Sequence, residues 1–388
     1  MTPIRVLHII TRLIVGGAQE NTMLTADLLD KSVWDVAVLC GPQTGVEGSL
    51  IPEVRRRNIP LTIEPALVRE VNPAKDLLAL LRLTRFIKRG NYTIVHTHSS
   101  KAGILGRWAA KLAGTPVIVH TVHGWGHTPR QHPAVQQFYI RLEKLTLPIT
   151  NRLIVVSPRD VEKGVTAGIG NPADFTLIRS GIELNRFGHP RRSAIDMRTE
   201  LGIPAEAPVV GTVTRLSPQK APLDFVNAAS RISRQISNCY FVMVGDGPLR
   251  PDVERLAQEL GIADRLILTG LRRDVPELMA TFNVFALSSL WEGLPRVLPQ
   301  AMATGLPIVA TAVDGNAEAV VDGETGFLVP PENPQALAAA IINLLRAPKL
   351  AQKMGQAGKK RATEFGARKM VDDIAALYTD LLTSTRKD

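Results

Sequence analysis

The sequence predicts an α/β protein built from two doubly wound parallel-sheet domains, and three observations predict it. The chain has 388 residues, more than one hydrophobic core usually supports. Short apolar runs alternate with longer segments whose apolar residues recur at helical spacing, the pattern of repeated βαβ units. Each half also opens in the same way: RVLHIIT (5–11) leads into Gly16-Gly17-Ala18-Gln19-Glu20, and PVVGTV (208–213) leads into a polar loop ending at Lys220. A strand, a polar loop and a helix put that loop at the carboxyl edge of a parallel sheet, where open α/β sheets bind their ligands.

In the first half, WDVAVLCG (34–41), PLTIEP (60–65), YTIVHTHSS (92–100), PVIVHTVHG (116–124), LIVVS (153–157) and FTLIRSG (175–181) follow RVLHIIT as strands. The glycine pair Gly16-Gly17 lets backbone N–H groups approach a phosphate or substrate closely. It is neither a GxGxxG fingerprint nor a P-loop. A helix from about Pro73 to Arg89 carries Leu77, Leu78, Leu80, Leu81, Phe86 and Ile87, which are expected to pack on the core. Its basic end, Arg82, Arg85, Lys88 and Arg89, complements the helix dipole or rests on a membrane surface.

Strands four and five bring His96, His98, His120, His123 and His127 to one edge. Five histidines invite a metal. No carboxylate or cysteine lies between residues 77 and 142 to complete a ligand set, so no metal site is expected. His123 stands apart, because Gly124-Trp125-Gly126 opens a loop directly after its strand. It either meets a ligand's hydroxyls or is satisfied by backbone groups.

Asn185 to about Pro208, rich in proline and charge, reads as the linker. In the second half, Arg215 and Lys220 flank the first turn, with Lys220 near the next helix start; two cations and a helix end form a diphosphate grip. YFVMVGDGPLR (240–250) and LILTG (266–270) are strands, the latter followed by Leu271-Arg272-Arg273. VFALSS (284–289) then breaks at Trp291-Glu292-Gly293, a helix follows with Pro295 in its first turn, and IVATA (308–312) is another strand. Glu292 either caps that helix or holds sugar hydroxyls beside a helix end that attracts phosphate. Helices from about Pro334 to Arg346, Lys349 to Thr363 and Ala367 to Leu382 close the chain.

Hydrophobic residues at 45% and charged ones at 21% describe an ordinary globular protein. Cys40 and Cys239 are the only cysteines and sit in separate halves, so they read as buried thiols in a reducing compartment. No apolar run spans a bilayer, and the chain is expected in the cytosol. The net charge of +10 is uneven: residues 1–190 hold 23 Lys+Arg against 14 Asp+Glu, while 191–388 hold 23 against 22. The segment 77–142 has no acid but contains Arg82, Arg85, Lys88, Arg89, Lys101, Arg107, Lys111, Arg130 and Arg141. Such a segment is either a set of solvated helix faces or a surface for anionic lipid headgroups, an acidic substrate or nucleic acid. An aromatic content of 5%, with few aromatics among the basic residues, disfavours nucleic acid.

Together these motifs resemble the retaining glycosyltransferases of family 4, which have the GT-B fold of two Rossmann-like domains facing each other across a cleft. The resemblance is carried by GGAQE (16–20), HG (123–124), RLSPQK (215–220), GDGP (245–248), EGLP (292–295), QAMATGLPIVAT (300–311) and GETGFLVPP (323–331), and covers nearly the whole chain. It implies an acceptor-binding domain over 1–188, a nucleotide-sugar-binding domain over 189–365, and a helix over 366–388 that crosses back to the first domain. It implies that Arg215 and Lys220 neutralise the donor's diphosphate. Glu292 contacts the transferred sugar beside the backbone of Gly293 and Leu294, and His123 reaches the same sugar. Gly16 and Gly17 lie near the phosphates and acceptor, and Leu271 and Arg272 lie against the base. The family's motif has a second glutamate where this chain has Gln300. A glutamine keeps an acceptor oxygen but loses the charge, so ribose binding is expected to weaken by about 1 kcal/mol.

The implied function is transfer of a sugar from a nucleotide-sugar, with UDP favoured, to a glycan or lipid-linked acceptor in cell-surface polysaccharide or glycolipid synthesis. No cofactor and no metal are implied. The basic first half suggests an anionic membrane surface as a further partner, on the inner face of the cytoplasmic membrane. Three other readings compete. An epimerase of the same architecture would turn over a lone nucleotide-sugar. A non-catalytic nucleotide-sugar-binding protein would make Gln300 a mark of decay, which the retained Arg215, Lys220 and Glu292 oppose. A nicotinamide dehydrogenase lacks its glycine fingerprint.

Overall fold

The computed structural model of the protein describes residues 2–43, 48–127 and 131–385; Arg130 of the basic segment lies outside them. The chain forms two units, Met1–Gly181 with Ala367–Asp388, and Ile182–Gly366. The first holds seven parallel strands: β1 (Ile4–Ile10), β2 (Trp34–Cys40), β3 (Leu61–Ile63), β4 (Ile94–His98), β5 (Val117–Val122), β6 (Arg152–Val155) and β7 (Phe175–Leu177). Their order is β3-β2-β1-β4-β5-β6-β7. The second holds β8 (Val209–Val213), β9 (Tyr240–Val244), β10 (Leu266–Gly270), β11 (Val284–Leu287), β12 (Ile308–Thr311) and β13 (Gly326–Val329). Their order is β10-β9-β8-β11-β12-β13, again with parallel pairing. In each sheet the order reverses between the first strand and the fourth, so the loops after β1 and β4, and after β8 and β11, flank a switch point.

Alternation along each strand assigns the two cores of the first sheet. Val6, Ile10, Ile94, Val117 and Val119 face the helices Gly17–Leu28 and Ala367–Thr385. Leu7, Ile9, Val95 and Ile118 face the helices Pro73–Gly90 and Ser100–Ala113. The final helix packs through Met370, Val371, Ile374 and Tyr378. The second unit packs Val210, Phe241, Met243, Ala286 and Val309 against the helices Pro222–Ser233, Arg250–Glu259 and Pro334–Arg346.

Several expectations change. The units divide after Gly181, not after residue 188, because Ile182 bridges Gly366 and Phe187 is buried. The stretch 185–208 is folded, not a linker. It contains the helices Leu184–Gly188 and Ala194–Glu200, Met197 is fully buried, and Arg198 donates to Thr281 O at 2.8 Å and Ala207 O at 2.9 Å. The helix after Glu292 starts at Val297, so Pro295 precedes it; the Pro295 carbonyl accepts from Leu298 N at 3.1 Å. The strand Gly326–Val329 has no counterpart in the sequence reading, since a four-residue run with a leading glycine is too short for a periodicity.

The helix Pro73–Gly90 also departs from its expected packing. Its start is well capped, with Asn72 Oδ1 accepting from Lys75 N at 3.1 Å. It buries Ala79, Leu83 and Ile87, whereas Leu77 and Leu81 are each 59% exposed and Leu78 is exposed too. The leucine run is wider than the stripe one sheet face covers. Trp108 and Leu112 on the next helix, and Val135, Phe138 and Leu145 on the helix Pro133–Thr146, are exposed as well.

Arg107 is not part of the basic surface. It is fully buried, donating from Nη2 to Glu143 Oε2 at 2.6 Å and from Nε to Gly103 O at 2.9 Å. Arg107→Ala leaves the Glu143 carboxylate buried without its cation, which costs about 3–5 kcal/mol. Denaturant unfolding of the variant checks this; a loss below about 1 kcal/mol, the size of an exposed pair, would contradict it.

Candidate active site

In the second unit, the loops after β8 and β11 are tied together by one backbone bond and by side chains that bond to backbone carbonyls. Leu290 N donates to Gln219 O at 2.8 Å and Gln219 Nε2 donates to Trp291 O at 3.0 Å. Ser288 Oγ donates to the carbonyls of Lys220 and Ala221, at 3.0 and 2.9 Å. Ala221 sits in the left-handed region, φ 42°, at the start of the helix Pro222–Ser233. A non-glycine residue there is held at a cost by its surroundings, and such residues cluster at functional sites.

These ties bring Lys220 Nζ onto Glu292 Oε1 in an ion pair. The same carboxylate oxygen accepts from Ser289 Oγ at 2.6 Å. Glu292 is 7% exposed, and it is not the N-cap of the following helix, a place taken by Arg296. Its backbone N–H donates to Asp314 Oδ2 at 3.0 Å, from the loop after β12. Thr311 Oγ1 donates to Ser289 O at 2.6 Å, and Asn316 Nδ2 donates to Thr311 O at 2.9 Å. The Glu292 loop, which follows β11, is therefore braced from the ends of both neighbouring strands, β8 and β12.

Gly315 closes the brace. Its φ of −70° suits any residue, but a Cβ on it would lie 1.7 Å from Gly293 O and 2.9 Å from Leu294 Cα. Space requires glycine here, where conformation does not.

Arg215 is exposed on the same turn as Lys220, and Gln300 is 9% exposed on the helix Val297–Thr304. Leu271 is 49% exposed just past β10. Arg272 beside it donates to both Asp274 carboxylate oxygens, from Nε at 2.8 Å and from Nη2 at 2.5 Å, and to Glu200 at 2.8 Å. The hydrogen bonds to Asp274 and then Glu200 hold its guanidinium well above its ordinary pKa.

In the first unit, Gly16 and Gly17 open the helix after β1, Gly16 with an extended backbone. The histidines separate by strand alternation. Thr97 and His120 point to one face, where Thr97 Oγ1 and His120 Nδ1 are 2.9 Å apart. His96 and His98 point to the other, where His8 of β1 joins them. His8 Nδ1 lies 2.9 Å from His98 Nε2, and His98 Nδ1 lies 3.1 Å from His123 Nε2. His96 Nδ1 meets the Tyr378 hydroxyl at 2.6 Å and its Nε2 meets Thr121 Oγ1 at 2.7 Å. His8, His96 and His98 offer ring nitrogens within 4.8 Å of one another, but hydrogen bonds engage five of the six. Burial pushes His8 down to about 3 and His96, His98 and His120 well below the ordinary imidazole range.

Sequence reasoning did not name Ser289, Asp314, Gly315 or His8. Asp314-Gly315 is a turn dipeptide, which signals a turn but not the loop it braces. His8 lies within a strand run, with nothing in its spacing to link it to residues 96 and 98.

Residues 194–361 match the family described as Glycosyl transferases group 1, and residues 16–181 match the Glycosyl transferase 4-like domain. The UDP-Gal:alpha-D-GlcNAc-diphosphoundecaprenol alpha-1,3-galactosyltransferase of Escherichia coli is 32% identical over 385 residues, covering 98% of each chain. Anabaena Alr3699/HepE, solved in complex with UDP and glucose, has a TM-score of 0.84 at 22% identity, covering 97% of this chain and 100% of that one. A glycosyltransferase from Rickettsia africae has a TM-score of 0.81 at 21% identity, covering 98% and 99%. These structural likenesses show the fold, the expected GT-B arrangement of two parallel-sheet units. With a family model matched in each unit and 32% identity to a relative over nearly the whole length of both chains, the chain belongs to the group 1 glycosyltransferases.

Proposed function

We propose that the protein is a retaining, metal-independent hexosyltransferase that moves a sugar from a UDP-sugar to a glycan on a lipid carrier. The observation that carries this reading is the Lys220–Glu292 pair at the switch point of the second sheet. A cation and a carboxylate held side by side suit a ligand with a charged diphosphate at one end and hydroxyls at the other. The UDP-galactose donor and diphosphoundecaprenol-linked acceptor in the E. coli relative's name support the choice of nucleotide and acceptor class.

In this reading the bond from the sugar's anomeric carbon to the donor phosphate breaks while the acceptor oxygen attacks from the same face. The acceptor proton passes to a phosphate oxygen of the departing UDP. Lys220 and Arg215 stabilise the charge that develops on the diphosphate, and Glu292 accepts hydrogen bonds from the sugar beside the backbone of Gly293 and Leu294. Gln300 accepts from the ribose. Leu271 offers an apolar surface to the base, and Arg272 shapes that segment through Asp274 and Glu200. Gly16 and Gly17 leave room for phosphate or acceptor, and His123 meets a substrate hydroxyl. Calorimetric titration with UDP, GDP and ADP, with and without EDTA, tests the donor half. We expect UDP to bind, EDTA to change nothing, and an α-configured donor to give an α-linked product. Failure of all three nucleotides to bind would sink the reading.

The acceptor's membrane is met, in this proposal, by the exposed apolar and basic residues of the first unit. Leu77, Leu78, Leu81, Trp108 and Leu112 are exposed alongside Arg82, Arg85, Lys88, Arg89 and Lys111. Among the described residues no helix is long and apolar enough to cross a membrane, and an interfacial surface needs none. Sedimentation with anionic liposomes at low salt should capture the protein, and Leu77→Ser with Leu81→Ser should weaken capture by at least about tenfold, or 1.4 kcal/mol, since two fully inserted side chains contribute about 3–6 kcal/mol together and partial insertion contributes less. Equal binding to neutral liposomes and by the double variant would contradict it.

A further inference from the structure

We infer that His8 and His98 are positioning residues that fix the tautomer of His123, so that its ring proton sits on Nδ1. The inference rests on the reading above only in placing His123 at a substrate hydroxyl; the proton order itself follows from the histidine chain.

The chain runs from His8 Nδ1 to His98 Nε2 at 2.9 Å and from His98 Nδ1 to His123 Nε2 at 3.1 Å. The ring planes of His8 and His98 lie 15° apart and those of His98 and His123 27° apart, with centroids separated by 5.2 and 5.4 Å, so the rings meet edge to edge through their nitrogens. His8 and His98 are at most 2% exposed. Burial disfavours the charged form of both, and the groups acting on His98 by charge are His96, His8, His123 and His120, whose protonation would oppose its own. Each of these two rings is therefore neutral, with one N–H donor and one bare nitrogen.

A row of such rings has only two proton orders. In one, His98 Nε2 donates to His8 Nδ1, and the proton of His8 must sit on Nε2. That nitrogen is buried and has no hydrogen-bond partner among the described residues, and a buried N–H without an acceptor is rarely tolerated. In the other, His8 Nδ1–H donates to His98 and leaves only a bare nitrogen unpaired. His98 Nδ1–H then donates to His123 Nε2, and the His123 proton falls on Nδ1. The bond made by one imidazole nitrogen sets the state of the other. His96 stands outside the row, its two nitrogens engaged by Tyr378 and Thr121.

The consequence is chemical. With its proton on Nδ1, His123 donates from that nitrogen to a substrate oxygen. In the opposite order the same nitrogen would accept a hydroxyl proton instead. The free imidazole side chain favours the Nε2–H form, so the buried row works against the intrinsic preference.

Long-range ¹H–¹⁵N spectra of the full chain labelled at histidine nitrogen, without substrate, read the tautomers directly. We expect Nδ1–H at His8, His98 and His123. His98→Phe should return His123 to Nε2–H and lower kcat about tenfold, the scale of one mispaired hydrogen bond, with a smaller change in KM for the nucleotide-sugar. An Nε2–H signal at His123 in the parent protein, or metal-shifted signals at His8, His96 and His98, would overturn the inference even if the variant does not fold. An unchanged kcat in a folded His98→Phe would overturn the positioning role. Because the spectra need no ligand, failure of UDP to bind leaves this result readable, and a wrong tautomer leaves UDP binding untouched.

Discussion

Replacing Lys220 with alanine is expected to lower the transfer rate by about 10³-fold, on the order of 4 kcal/mol in the barrier, while the protein stays folded. Under the proposed mechanism two effects combine. The ammonium that meets the leaving diphosphate is lost just where negative charge grows, and fixed charges of this kind supply the largest share of many enzymes' acceleration. Glu292, 7% exposed and paired with Lys220, then keeps the bond from Ser289 Oγ at 2.6 Å but no longer has its cation. A buried carboxylate that has lost its cation moves or takes up a proton, so the sugar-facing group is disturbed too. Kinetics with a saturating UDP-sugar, beside a thermal melt of the same preparation, separate chemistry from unfolding. A fall of less than about tenfold, 1.4 kcal/mol, would refute the leaving-group role.

Gly315→Ala is expected to reduce kcat/KM by about 100-fold through geometry alone, since displacing a site by about 1 Å carries a penalty of that size. Alanine is at ease with the backbone there, at φ −70°. Its methyl, however, would stand 1.7 Å from Gly293 O, and both obstacles, Gly293 O and Leu294 Cα, are backbone atoms that cannot rotate away. The loop carrying Glu292, Gly293 and Leu294 must shift, and with it the bond from Glu292 N to Asp314. The variant should bind UDP with less change than it shows in turnover, because Lys220 and Arg215 belong to a different loop. Activity within tenfold of the parent would mean that the placement of Glu292 does not limit the reaction.

Much of this was legible in the chain. The strand runs at residues 5–11, 34–41, 208–213 and 284–289 were visible because parallel strands buried on both faces read as continuous apolar runs. The exposure of Leu77 and Leu81 was not, because an apolar residue at helical spacing looks the same whether it meets a sheet or stands clear of one. Glu292 stood out as a polar residue at a strand end. Its neighbours Ser289, Asp314 and Gly315 did not, since Ser289 reads as part of the strand run and the other two act from the loop after β12, more than 20 residues along the chain.

Local order alone determined the two parallel-sheet units, the loops that carry Lys220 and Glu292, and the excess of basic charge in the first half, because periodicity, turn residues and charge are properties of neighbours in the chain. Tertiary structure decided that Lys220 and Glu292 pair, that Arg107 is buried with Glu143, and that His8 joins His98 and His123 in one row. Those facts depend on strand order and register, which set residues 72, 36 and 90 or more positions apart within a few ångströms.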